Sequence, residues 1–240
     1  MAAMRGHEDG SGSGVVAARL RRVRLHLAVV TLLGPLACVG AVLGFGAWRP
    51  LVVVPAVLAF AGVAWFRAIR FRPRRWPWRG AVLGGVSGAV AGFVVVPWVA
   101  VPAAIVLGGV GWWVADRARV AVLEPYTPEL ADSPVEVPWQ ARGARGLELV
   151  VGTDRISLAG GRFKTVRPAV ALSGVGTVEQ VMVARRATLP VPGVGEVRVT
   201  VTPGPAVRIT VPPGEWIVPT DHGREIARLV ARRKALAGVE

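Results

Sequence analysis

Residues 25–48 read LHLAVVTLLGPLACVGAVLGFGAW, a run of 24 residues without Asp, Glu, Lys or Arg. An α-helix rises about 1.5 Å per residue, so this run can cross the roughly 30 Å hydrocarbon core of a bilayer. A basic cluster of Arg19, Arg21, Arg22 and Arg24 stands directly before it. The pattern predicts a membrane-spanning helix that starts at a basic, water-facing edge.

The composition of the chain agrees with a membrane protein. Of its 240 residues, 52% are hydrophobic and 18% are charged, and the mean hydropathy is +0.49. Residues 1–115 carry a net charge of +10, whereas residues 116–240 carry +4. Because the basic excess lies beside apolar segments, we expect an anionic lipid surface as its partner and consider nucleic acid unlikely as one. The single cysteine, Cys38, excludes a disulfide within the chain.

Further apolar segments follow the first one. Residues 51–66 form a short segment, and residues 81–115 form a stretch of 35 residues that is too long for one span. Pro97 and Pro102 lie near the middle of the long stretch, where proline breaks a helix. We therefore predict an α-helical transmembrane bundle over residues 25–116. Its four predicted spans lie near residues 25–47, 51–68, 80–97 and 100–116. The alternative is three spans, of which the last is long and kinked.

The charges of the loops predict the orientation. The segment 67–79 carries six arginines, and the polar arm 1–24, expected to be disordered, is basic as well. Arg49 is the only charge in the other two loops. The positive-inside rule then predicts that the N-terminus and the 67–79 segment are cytoplasmic. Four spans would make the C-terminus cytoplasmic too, in a multi-pass protein of the cell membrane, whereas three would put it outside.

The segment RFRPRRWPWRG and the arginine before it form a basic, aromatic girdle. One interpretation is a topology signal with aromatic anchors, and the other is a site for an anionic lipid head group. The candidate interfacial residues are Arg67, Arg70, Arg72, Arg74, Arg75, Trp76, Trp78 and Arg79.

Gly84, Gly88 and Gly92 recur every four residues and lie on one face of the third predicted span. Such a face lets another helix approach closely, either within the chain or in a homo-oligomer or a membrane partner. The predicted spans contain no acidic residue, which argues against an ion-coupled transporter.

The C-terminal half changes character. Residues 117–139 are a predicted linker, and residues 140–240 alternate with the period of β-strands between Gly- and Pro-rich turns. Strands are predicted at 147–151, 155–158, 162–166, 170–172, 175–185, 196–202 and 207–211. A helix over 221–237 is predicted to close the chain, with Asp221 as its N-cap and an apolar stripe. That stripe either plugs the end of a barrel or lies on the bilayer surface.

This arrangement of strands followed by one helix resembles the pleckstrin-homology-like fold found in bacterial membrane-anchored proteins. The resemblance rests on GLELVVGTDRISLAGGRFKTV at 146–166, AVRITVPPGEWIVPT at 206–220 and DHGREIARLVARR at 221–233. It implies an all-β barrel with a C-terminal capping helix. The phosphoinositide pocket of eukaryotic members uses a basic first hairpin, near which Arg155, Arg162 and Lys164 fall.

Motifs that would indicate catalysis are missing from the sequence. It contains no nucleotide-binding loop, no zinc-protease motif, no nucleophile elbow and no candidate metal or cofactor site. We therefore expect a non-enzymatic, membrane-anchored scaffold or binding module, held at an anionic inner leaflet. The alternative is an accessory subunit of a transport or other membrane complex. A third hypothesis, a nucleic-acid-binding membrane protein, rests on charge alone.

Overall fold

The chain forms two compact units, a helical unit over Met1–Tyr126 and a β unit over Thr127–Glu240. This division agrees with the predicted membrane half and β-rich half. The computed structural model describes residues 11–44, 53–144, 146–160, 168–191 and 198–238.

The helical unit contains α1 (Ser11–Gly44), α2 (Val53–Ala68), α3 (Trp76–Val95) and α4 (Ala100–Leu123). Three of these helices, α1, α3 and α4, are long and apolar enough to cross a membrane. Helix α2 has 16 residues and is about 24 Å long. Three candidate spans are thus present, and the fourth predicted span depends on α2. The predicted turn at Arg49-Pro50 lies outside the described residues.

The long apolar stretch is broken at Pro97, whereas Pro102 lies in the first turn of the helix that follows. Helix α3 ends at Val95, Val96 is extended, and a 3-10 turn over Pro97–Val99 leads into α4. Gly80 near the start of α3 lies against Gly111 in the middle of α4, and Gly92 near the end of α3 lies against Ala100 at the start of α4, so the two helices run antiparallel. The stretch is therefore two packed helices and not one kinked helix.

Helix α1 begins at Ser11, inside the arm over 1–24 that was predicted to be disordered. The first ten residues lie outside the described part, but the prediction is wrong for residues 11–24. Val16 and Val23 are buried, and the Arg19 Nη1 donates to the carbonyl oxygens of Val122 at 3.3 Å and Pro125 at 3.0 Å. Contacts with the end of α4 therefore extend the helix beyond the uncharged run.

Large apolar side chains cover the outside of the helical unit. Phe60, Trp98 and Ile105 are each at least 70% exposed, and most other large exposed apolar side chains among the described residues also lie on these helices. The helices pack instead through small residues such as Cys38, Ala41 and Ala91. An apolar surface this extensive indicates association with a membrane.

The β unit contains nine antiparallel strands among its described residues. They form a four-stranded sheet in the order β1-β2-β3-β4, a three-stranded sheet β5-β8-β9 and a two-stranded sheet β6-β7. Their bounds are β1 Val137–Gln140, β2 Glu148–Val151, β3 Arg155–Ala159, β4 Ala169–Ala171, β5 Val178–Val183, β6 Ala187–Pro190, β7 Arg198–Val201, β8 Gly204–Val211 and β9 Gly214–Pro219.

Two predictions for the C-terminal half, the closed barrel and the linker, differ from the structure. The described strands form separate sheets, so the expected closed barrel is not present in this part of the chain. The predicted strand at 162–166 lies outside it. The predicted linker 117–139 is also largely structured, because α4 continues to Leu123 and β1 begins at Val137. Leu130 and Val135 between them are fully buried, which gives this segment a place in the core of the β unit.

Helix α5 (Gly223–Leu236) closes the chain and packs on β5 and β8. Its apolar stripe of Ile226, Leu229 and Val230 is buried, so the stripe covers a sheet and does not plug a barrel. The helix is capped at His222 without a side-chain hydrogen bond. The predicted N-cap, Asp221, instead accepts a 2.6 Å hydrogen bond from Arg142 Nη1, so that prediction is wrong.

Candidate functional site

The Arg- and Trp-rich segment between α2 and α3 is a folded connection. A 3-10 turn over Pro73–Arg75 leads directly into α3. Trp76 is fully buried, and its Nε1 donates to the Ile69 carbonyl oxygen at 3.0 Å. Trp76 is therefore an internal anchor of the connection between α2 and α3. Trp78 is 69% exposed, as expected of an aromatic anchor at a membrane interface.

The six arginines of this segment differ in their exposure to solvent. Arg67, Arg70 and Arg72 are exposed, whereas Arg74, Arg75 and Arg79 are half-buried. The Arg79 guanidinium lies 3.9 Å from the centroid of the Trp65 ring, so it joins α3 to α2 by a cation–π contact. That of Arg70 lies 4.3 Å from the Phe71 ring. Arg70 and Arg79 therefore each contact an aromatic ring within the helical unit.

A groove between α1 and α2 brings some of these arginines together with the N-terminal cluster. This α1–α2 groove has a volume of about 490 Å³. Its α1 wall has residues at spacings of three and four, which place them on one helical face. The lining residues are Arg24, Leu27, Ala28, Thr31 and Leu32 from α1 and Val63, Phe66, Arg67 and Arg70 from α2 and the turn after it.

The charges of the α1–α2 groove lie at one end of it. Arg24 starts the α1 wall, while Arg67 and Arg70 end the α2 wall, and all three line the same groove because the chain reverses direction between the helices. Thr31 is satisfied within α1, since its Oγ1 donates to the Leu27 carbonyl oxygen at 2.7 Å. The groove is therefore basic at one end and apolar along the rest.

Arg24 is the charged groove residue that was missing from the predicted site. The sequence does contain a signal for it, because Arg24 is the last charge before the uncharged run and Arg67 is the first after the second apolar segment. Both residues therefore belong at the edge of the apolar region. Their meeting in one groove depends on which faces of α1 and α2 pack together, and that follows only from the fold.

The predicted glycine face is used within the chain. A Cβ atom at Gly84 would overlap the carbonyl oxygen of Leu107, and one at Gly88 would overlap that of Ala103. A Cβ at Gly92 would come within 2.7 Å of Ala100 Cα. Helices α3 and α4 thus touch backbone to backbone, and the structure places these glycines in intramolecular packing.

The β unit contains a smaller, apolar groove of about 210 Å³, lined in part by Leu158, Leu189, Val199 and Trp216. The indole nitrogen of Trp216 is buried and has no hydrogen-bond partner among the described residues. We call this cavity the β-unit groove. Among the described residues that line it, Glu215 is the one charged side chain, so the groove suits an apolar occupant.

The basic first hairpin is only partly described. Arg155 forms a 2.6 Å ion pair with Asp154, whose hydrogen bond and charge raise the pKa of the guanidinium. Arg162 and Lys164 lie outside the described residues. Within the described part of the chain, no three His, Cys, Asp or Glu side chains form a group that could hold a metal ion. No protein-family model, curated protein or solved structure matches the chain.

Proposed function

We propose that this chain is a multi-pass membrane protein that carries a non-enzymatic binding module, the β unit, on the cytoplasmic side. The observation that carries the proposal is that the arginines and the exit of the chain share one end of the helical unit. Arg24 and Arg67 line the same end of one groove, and Arg19 binds the carbonyl oxygens of Val122 and Pro125 at the end of α4.

This arrangement favours four crossings. If α2 spans the membrane, an even number of crossings brings the N-terminus and the start of the β unit to the same side. The positive-inside rule makes that side cytoplasmic. Helix α2 is about 6 Å shorter than a typical hydrocarbon core, a mismatch that local thinning of the bilayer and snorkelling of Arg67 at its end would accommodate.

The binding role is supported by the β-unit groove and by the absence of recognisable catalytic motifs. A module tethered to a membrane meets its partner at a raised effective concentration, so a shallow apolar groove is sufficient for useful binding. The resemblance to the pleckstrin-homology-like fold is part of the same proposal. The described strands form separate sheets, whereas that fold is a closed barrel.

Two experiments test this function. Topology reporters fused after Arg49, Pro73 and Glu240 should report outside, inside and inside; an external signal at Glu240 would refute the proposal.

A photo-crosslinking residue at Leu189, in the β-unit groove, should give a discrete adduct in membranes. The same residue at Met182, an exposed position on β5, is the control. Identical behaviour at both positions would argue against a binding module.

A second candidate, an accessory subunit of a membrane complex, is favoured by one observation. Within the described part of the chain, Cβ atoms at Gly40 and Gly44 of α1 would meet nothing within 4 Å, so no described helix covers this part of α1. Photo-crosslinking residues introduced at these two positions, which react with C–H bonds of any neighbouring helix, would show whether a partner helix docks there. A lack of crosslinks in native membranes would remove this candidate.

A further inference from the structure

We propose that the α1–α2 groove binds one anionic phospholipid, with its phosphate at Arg24, Arg67 and Arg70 and an acyl chain along the apolar walls. The inference rests on the proposed function insofar as the helices must lie in a bilayer. It adds a ligand of defined chemistry. It also adds Arg24, from the N-terminal basic cluster, to the arginines of the 67–79 segment.

The charged end of the groove suits a phosphate. Three arginines line it, and guanidinium groups bind phosphate oxygens through paired hydrogen bonds. The sequence has no Asp or Glu between Asp9 and Asp116, so no carboxylate from the membrane-embedded stretch can neutralise these arginines. The charge of the site is therefore complementary to an anion that comes from outside the chain.

The remainder of the groove suits a hydrocarbon chain. Leu27, Leu32, Val63 and Phe66 form apolar walls. From Arg24 to Leu32 the α1 wall extends about 12 Å along the helix axis. A soluble phosphate would use only the arginines, whereas a phospholipid uses both parts and enters from the bilayer, which both helices face.

The position of the arginines matches the depth of a lipid head group. Arg24 precedes the uncharged run of α1, and Arg67 lies in the last turn of α2. Both side chains therefore lie where the helices leave the apolar core, which is the level of lipid phosphates. Arg21 and Arg22 belong to the same basic cluster but do not line the groove, so they provide a control of equal charge.

Native mass spectrometry of the full chain in neutral detergent tests the proposal. The protein is titrated with phosphatidylglycerol or with phosphatidylcholine of the same acyl chains. We expect one tightly held phosphatidylglycerol and weaker binding of phosphatidylcholine. An interfacial arginine contributes about fivefold to the binding of anionic lipid, so the Arg24→Ala/Arg67→Ala variant should bind roughly 30-fold more weakly. The Arg21→Ala/Arg22→Ala variant should keep the one-to-one adduct.

A second pair of variants tests the apolar walls. Val63→Trp fills the groove and should weaken binding, whereas Val57→Trp, at an exposed position of α2 outside the groove, should not. Arg24→Lys/Arg67→Lys should restore part of the affinity, which separates loss of charge from misfolding. Inorganic phosphate, added as a competitor, should not displace the lipid.

Three results would overturn the inference. Equal losses in the two double-arginine variants would mean a diffuse basic belt. Displacement by inorganic phosphate together with normal binding by Val63→Trp would mean an anion site without a lipid. Equal binding of the two lipids would mean that the groove does not select charge. None of these results would alter the topology or the crosslinking from Leu189. The tests of the proposed function are therefore independent of the test of lipid binding.

Discussion

Arg233 of helix α5 provides the sharpest test of how the β unit is held together. The residue is 2% exposed, and its guanidinium donates to four backbone carbonyl oxygens. The shortest of these bonds reach Val135 at 2.6 Å and Val151 at 2.7 Å, and the bonds to Leu130 and Ser133 are both 3.3 Å long. One side chain thus joins α5 to β2 and to the segment that precedes β1.

Replacing Arg233 by Met keeps an unbranched apolar stem, shorter than that of arginine, and removes every donor. A hydrogen bond from a charged donor contributes about 1.5–3 kcal/mol, so the two short bonds together contribute roughly 3–6 kcal/mol. Removing a buried charge recovers part of this, because its desolvation no longer has to be offset. We expect the free energy of unfolding of the β unit to fall by about 3 kcal/mol, a large share of the roughly 5–15 kcal/mol of a typical domain.

Pulse proteolysis of the full chain in detergent across a urea series measures this change, with the fragment of the β unit as the readout. Arg232→Met is the matched control, since Arg232 is half exposed and pairs with Asp132 at the surface. Such pairs contribute about 0.2–1 kcal/mol. Arg233→Lys keeps the charge with fewer donors and should lie between the two. Equal midpoints for Arg233→Met and Arg232→Met would refute the assigned role of the buried guanidinium.

Three further substitutions test individual contacts. Trp76→Phe loses a buried hydrogen bond and should destabilise the helical unit by about 1–2 kcal/mol in thermal unfolding, whereas Trp78→Phe, at an exposed position, should not. Gly88→Ala pushes a methyl group against the backbone of α4 and should lower the melting temperature. Gly109→Ala, where a Cβ would meet nothing within 4 Å, should not; equal effects would contradict the assigned packing. Gly204→Ala should destabilise the β unit by about 1–3 kcal/mol in pulse proteolysis, because φ is +115° there.

The helices of the membrane half were predictable from the sequence because the signal is local. An uncharged run of sufficient length has few alternatives to a helix in lipid, and Pro97 ends α3 where the sequence indicates. The start of α1 was not predictable in this way. Residues 11–24 begin with Ser-Gly-Ser-Gly and carry four arginines, and their helix depends on burial of Val16 and Val23 and on the bonds of Arg19 to the end of α4.

The strands that the sequence did not predict share one physical property. Strands β1, β6 and β9 each contain a proline, at Pro138, Pro190 and Pro219, and each lies at the edge of its sheet. Proline cannot donate a ladder hydrogen bond, so it indicates a turn unless the strand has a free edge toward which the missing donor can point. Whether a segment lies at an edge depends on the order of strands across the sheet. The alternation of apolar and polar residues along one strand carries no information about that order.

In the candidate site, too, the role of each arginine depends on its neighbours in the fold and not on its position in the sequence. Counting arginines near the membrane predicts one broad basic surface, but the structure distributes them among different partners. Arg19 binds backbone carbonyl oxygens at the end of α4, and Arg79 lies over the ring of Trp65. Arg24 and Arg67 line a groove whose other walls are apolar. A positive charge that already has a partner inside the protein contributes to topology and stability, whereas one that borders an apolar groove is placed to bind a lipid. The lipid specificity of this protein should therefore depend on the groove arginines Arg24, Arg67 and Arg70, and the total number of arginines at the interface should matter little.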